Sequence, residues 1–201
     1  MDDDEVKAHL HQKLRAAREA LVRKLDGLSE YDTRRPMTPT GTNLLGLVKH
    51  NAISDARYFG DVFDRPFPES LPRWDDPATD LVDHWATEDE TREGVVALYQ
   101  RVWAHSDSTI AALRLDDRGY VPWWDEEVPL FNVMAARLVD AVRHAGHADI
   151  LRESLDGSVG FDVGGLPPHG RDTAYWEARC ALIDNAARGA DREPSAPDLP
   201  A

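Results

Sequence analysis

Asp140 and His144 stand four residues apart in Leu138-Val-Asp-Ala-Val-Arg-His-Ala-Gly-His-Ala-Asp-Ile-Leu-Arg-Glu153, and His147 follows three residues later. In an α-helix each residue turns by about 100°, which brings Asp140 and His144 within about 40° of each other on one face. A carboxylate and an imidazole so placed direct two ligand atoms at one ion. A third ligand from a neighbouring helix would complete a two-histidine, one-carboxylate set with open positions. That set suits Zn²⁺, Ni²⁺ or Fe²⁺ and leaves room for water or substrate. The same spacing also serves an ordinary solvated pair worth about 0.3–0.5 kcal/mol. Spacing alone leaves both readings open.

These residues need helices to position them, and the hydrophobic pattern supplies helices. Val6, Leu10, Leu14, Ala17, Leu21, Leu25 and Leu28 recur every three to four residues, which predicts a long amphipathic helix over about 5–28. Thr42 or Asn43 caps a second helix to about Phe63, stopped by Pro66 and Pro68. Thr87 is the expected cap of a third, to about Leu113. A loop through Pro122-Trp123-Trp124 ends at Pro129, and a fourth helix runs over about 130–155, closed by Asp156-Gly157. A fifth covers about 173–188. Alternating strand patterns are nearly absent, so the expected architecture is an all-α four-helix bundle with long crossover connections plus a C-terminal helix. Residues 1–190 read as a single domain and 191–201 as a Pro-rich flexible tail.

Periodicity does not choose the functional face. The side bearing Asp140 and His144 also holds Val133, Ala141, Ala148, Leu151 and Leu155, but Arg137 as well. His50, in Leu47-Val-Lys-His-Asn51, lies largely opposite the stripe Leu45, Val48, Ala52, Phe59 and Val62. Trp123 and Trp124 suit the mouth of a pocket or the packing of a loop. Tyr99 and Trp103 have ordinary core spacing, and Arg152-Glu153 suggests an ion pair or structural clamp.

Composition excludes several classes. The 201 residues are 42% hydrophobic and 30% charged, with a formal net charge of −14. Such a chain repels phosphate backbones and anionic lipid, so neither nucleic acid nor a membrane is an expected partner. No apolar run approaches the ~18 residues of a spanning helix. The acidic start and the single Cys180 fit a cytoplasmic, reducing location. Cys180, in an Ala-rich helix, is expected to be a buried thiol. No Gly-rich phosphate loop or nucleophile elbow is present.

The strings Thr42-Asn-Leu-Leu-Gly-Leu-Val-Lys-His50 and Arg143-His-Ala-Gly-His-Ala-Asp-Ile-Leu-Arg-Glu153, with Asp156-Gly157, resemble the DinB-like superfamily over roughly residues 5–160. Within it, the likeness is to the mycothiol-dependent S-transferase branch of actinobacteria, with which the Ala/Arg/Asp-rich composition agrees. The resemblance implies a four-helix bundle holding a divalent metal, Zn most naturally and Ni or Fe as alternatives. Its ligand positions match His50, Asp140 and His144. Relatives usually have His or Glu where Asp140 stands. Aspartate is shorter by about 1.5 Å, so the ligand could be Asp140 directly, Asp140 through a water, or His147 in its place. The expected role of His147 is otherwise a contact behind the ligands or on substrate.

The implied activity is that of a metal-dependent thiol S-transferase. It would activate mycothiol as a thiol co-substrate against an electrophilic small molecule, in detoxification or stress metabolism. Two alternatives remain: a non-catalytic bundle that binds a metal or small molecule as a homodimer or with a protein partner, and a bundle that has lost its metal.

Overall fold

A computed structural model of the chain describes residues 2–73, 81–160 and 170–190. Its helices are α1 (Asp3–Arg23), α2 (Glu30–Arg34), α3 (Leu44–Phe59), α4 (Arg92–Ala112), α5 (Leu130–Asp156) and α6 (Thr173–Ala190). The strands β1 (Arg118–Val121) and β2 (Glu126–Pro129) form an antiparallel hairpin that places Val121 opposite Glu126. The chain is mostly helical, an all-α bundle in which α1 packs on α5 and α3 on both α4 and α5.

The caps are local. The Asp2 carboxylate accepts from the Glu5 amide while Glu5 reaches back to Asp2, a reciprocal capping box. Asn43, one of the two expected caps, starts α3 by accepting from the Gly46 amide. Gly157, at φ +77°, closes α5 in the left-handed conformation that glycine adopts without strain.

Several expectations need correction. α1 ends at Arg23 rather than near Leu28, because the chain tightens into turns there before the short α2. α3 stops at Phe59, and a single 3₁₀ turn (Asp61–Phe63) follows Gly60. Thr91, not Thr87, caps α4. The Thr87 amide donates instead to Glu90, which also pairs with Lys49 at 2.8 Å. The stretch expected as loop before Pro129 contains the hairpin, whose four-residue strands are too short for alternation to stand out. Cys180 is exposed, since α6 has no buried residue. The Pro-rich tail lies outside the described residues.

The core has two parts. One gathers Leu14, Phe59, Ile110, Val121, Leu130 and Met134 beside the hairpin. The other gathers Leu21, Leu45, Val48, Tyr99 and Leu151 at the opposite end. α3 runs between its neighbours so centrally that all its residues are buried except His50 and Tyr58.

Candidate metal centre

The two incompletely buried residues of α3 line the same cavity. The stripe of Leu45, Val48, Ala52, Phe59 and Val62 sets His50 on the outward side of α3, but the helix is covered on nearly every face and that side too meets neighbours. Its ring meets the His144 ring edge-on at 4.9 Å between centroids and stacks on His84 at 4.4 Å. His50, Asp140 and His144 each offer a ligand atom, and the three atoms lie within 4.8 Å of one another. The structure thus brings together the three residues matched by resemblance. His147 is exposed and stands apart from that group, its ring 5.6 Å from His144.

Two further residues join the cluster from the connection between α3 and α4. A 3₁₀ turn, Val82–His84, lies against α3 at Gly46, where any Cβ would collide with the His84 carbonyl. Lys49 Nζ holds the end of the turn by donating to the Trp85 carbonyl at 3.0 Å. This close approach puts Asp83 Oδ2 at 2.7 Å from His50 Nδ1. Burial pushes the Asp83 carboxyl up, but the His50 bond and the neighbouring imidazoles outweigh it and hold it below its ordinary value. An ionised Asp83 makes Nδ1 the protonated nitrogen of His50 and leaves Nε2 as its ligand atom. Burial, followed by repulsion from His50, lowers the pKa of His84. Asp83, His84 and His50 also place ligand atoms within 4.8 Å of one another.

Below Asp140 runs a chain of buried charge. Asp55 accepts from Arg18 Nε and Arg137 Nε, each at 2.8 Å. Arg137 reaches on to Asp140 Oδ2 at 2.6 Å and to Asn51 Oδ1 at 3.3 Å. Arg18 reaches Asp107 at 3.2 Å, where His11 also bonds. The Asp140 carboxyl is pushed up by burial, but the His144 bond and the Arg137 charge hold it well below the usual carboxylate range. It is therefore an anion fixed by one oxygen, with Oδ1 turned to His144. Arg137 looked out of place on a ligand face; here it orients the ligand candidate.

The donor set fits a divalent cation. His144 Nε2 and Asp140 Oδ1 are 3.4 Å apart, the spacing of two ligand atoms about 2.1 Å from one tetrahedral ion. With Nε2 facing Asp140, His144 Nδ1 points away from that ion position and is buried without a hydrogen-bond partner, so the donor types and their spacing carry the fit. Aspartate reaches the cluster despite its length because Arg137 holds it there.

Trp123 and Trp124 occupy the turn of the hairpin and line the same cavity as His50 and Asp140. Tyr99 is wholly buried, and burial drives its phenol pKa far upward. Arg152 forms a clamp: it pairs with Asp156 at 2.6 Å and donates to the carbonyls of Lys24 and Asp26.

A helical bundle with a histidine–carboxylate cluster between α3 and α5 is the DinB-like class of protein. Residues 9–157 match the Mycothiol-S-transferase family, and the chain belongs to that family. Among solved structures it resembles a conserved protein from Enterococcus faecalis, with a TM-score of 0.54 and 16% identity over 79% of this chain and 99% of that one. That likeness is one of fold. No curated protein matches the chain significantly. No helix among the described residues is long and apolar enough to cross a membrane.

Proposed function

We propose that this protein is a metal-dependent S-transferase that joins mycothiol to an electrophilic small molecule, in detoxification or stress metabolism. Family membership supports the thiol, and the cluster of His50, Asp140 and His144 beside a cavity carries the reading. Those three residues would hold the ion, with Zn²⁺ the natural choice for two imidazoles and a carboxylate and Ni²⁺ or Fe²⁺ as alternatives. With two neutral imidazoles and one carboxylate around it, a divalent ion would keep net charge near +1 and favour a thiolate over a thiol.

The chain's own groups do the positioning. Asp83 fixes the tautomer of His50, and Arg137 fixes the direction of Asp140. Tyr58 and the hairpin tryptophans wall the cavity beside the cluster.

The test is the pKa of mycothiol bound to metal-loaded protein, read from thiolate absorbance across a pH series. The expected result is a pKa below that of the free thiol, restored to the free value by a chelator or by His144→Ala, together with metal-dependent consumption of thiol by chlorodinitrobenzene. Tight metal binding with an unshifted thiol pKa would instead establish the non-catalytic bundle.

A further inference from the structure

The histidine cluster separates two cavities. His50 and Asp140 open onto one of about 720 Å³ with Tyr58, Trp123 and Trp124 in its wall. His144 and His147 open onto the other, of about 670 Å³, with Thr40, Thr42 and Trp85 in its wall and an Arg34 already held by Glu30 and the carbonyls of Thr87 and Glu90. His84 borders both. A reaction between two molecules at one centre needs two seats that meet there, and this arrangement provides them.

The aromatic wall is rigid. The Trp123 indole N–H donates to the Tyr58 hydroxyl at 2.8 Å, with the rings edge-on at 4.8 Å. Trp124 lies tilted 5.6 Å from Tyr58 and remains 39% exposed, enough to offer its ring to a ligand. Its turn is braced by the Trp124 amide on the Val121 carbonyl and by the Tyr120 hydroxyl on Asp125. β1 is seated on the bundle at Gly119, where any Cβ would strike Val62 and Phe63. An aromatic surface fixed in this way contributes flat contact area at little entropic cost.

The cavity also holds two arginines in different states. Arg137 is spent on Asp55, Asp140 and Asn51. Arg143, one helical turn beyond Asp140, is exposed and has no hydrogen bond or ion pair among the described residues. A guanidinium without a partner in the same cavity wall as an exposed indole is suited to an acid group on a flat ring.

We infer that this cavity seats the electrophile and selects an aromatic one carrying an anionic group, with its ring on Trp124 and its anion on Arg143, while the thiol enters by the opposite cavity. The assignment of the ligand as electrophile rests on the transferase reading above. For a halogenated ring, the thiol S–H bond breaks and its proton passes to water. The sulfur electron pair forms the new S–C bond, and the C–halogen bond breaks with its pair leaving on halide.

The test is calorimetric titration of the full chain with para-nitrobenzoate and with its uncharged isostere para-nitrobenzamide, neither of which has a leaving group. The benzoate should bind more tightly. Arg143→Gln should weaken it about 10- to 100-fold, as loss of a charge-assisted pair does, and so erase the preference over the amide. Trp124→Ala should weaken both ligands by about 2- to 10-fold. Arg188→Gln, on α6, removes the same charge elsewhere and should change neither. Equal affinities for the two ligands, or an equal loss of both in Arg143→Gln, would overturn the inference. If the preference holds but no thiol is consumed with any metal, the seat for an aromatic acid stands and the transferase reading falls. Turnover without the preference would overturn the inference alone.

Discussion

Helix α5 carries two acid–base pairs at the same spacing, and they have opposite fates. Arg152 and Asp156 form a closed pair: the guanidinium is buried, and its remaining donors go to the carbonyls of Lys24 and Asp26. Asp140 and His144 form an open pair. One carboxylate oxygen is held by Arg137, the other faces His144 at 3.4 Å, and His144 Nδ1 has no partner. The first pair ties α5 to the end of α1. The second lies between two cavities with two more histidines against it. Unsatisfied capacity beside open space, rather than spacing, separates a site from a brace.

The comparison can be broken by mutation, and the largest effect should come from the charge that underlies the open pair. Asp55→Ala would leave Arg18 and Arg137 buried without their common partner, at a cost of about 3–5 kcal/mol in denaturant unfolding. Arg152→Ala should cost about 2 kcal/mol through the carbonyls it leaves bare, with metal content of the folded protein unchanged. A loss of metal in that variant would erase the distinction between the two pairs. Gly46→Ala should cost about 1–3 kcal/mol by pushing the Asp83 turn off α3, and should weaken metal uptake through His50.

The smallest expected effect is a change in the acid limb of stability. The Arg152 bond, against a smaller opposing effect of burial, lowers the Asp156 pKa to about 2. Its folded value lies below an unfolded value of about 3.9. Its contribution is therefore complete above pH ~4 and is lost as pH falls toward 2. Asp156→Asn should flatten that part of a pH series of urea unfolding; an unchanged profile would show that the pair does not titrate with folding.

How much of this was legible depended on how local each signal is. Asp140 and His144 sit on one helix, where periodicity alone relates them. His50 could be joined to them only by resemblance, because the α3 stripe sets it on the side away from the core while the helix is in fact buried on nearly every side. Asp83 and His84 come from a connection without periodicity, and the only trace of their approach is a glycine on the facing helix, Gly46. The hairpin escaped notice because its strands are four residues long, although Trp123 and Trp124 had marked its turn as a candidate pocket wall. Cys180 was misplaced because alanine-rich sequence reports helix propensity as readily as burial. The Asn43 cap and the Gly157 stop were readable from neighbouring residues and the bundle from its periodicity, whereas Thr87 offered the same capping chemistry as the Thr91 that starts α4.

The most direct measurement is elemental analysis of purified protein beside His50→Ala and His144→Ala, with folding of each checked by circular dichroism. The account predicts about one divalent ion per chain in the wild type and none in either variant, since α3 and α5 must share the site. Wild-type protein that holds no metal, and takes none up from micromolar zinc, nickel or iron, would contradict it.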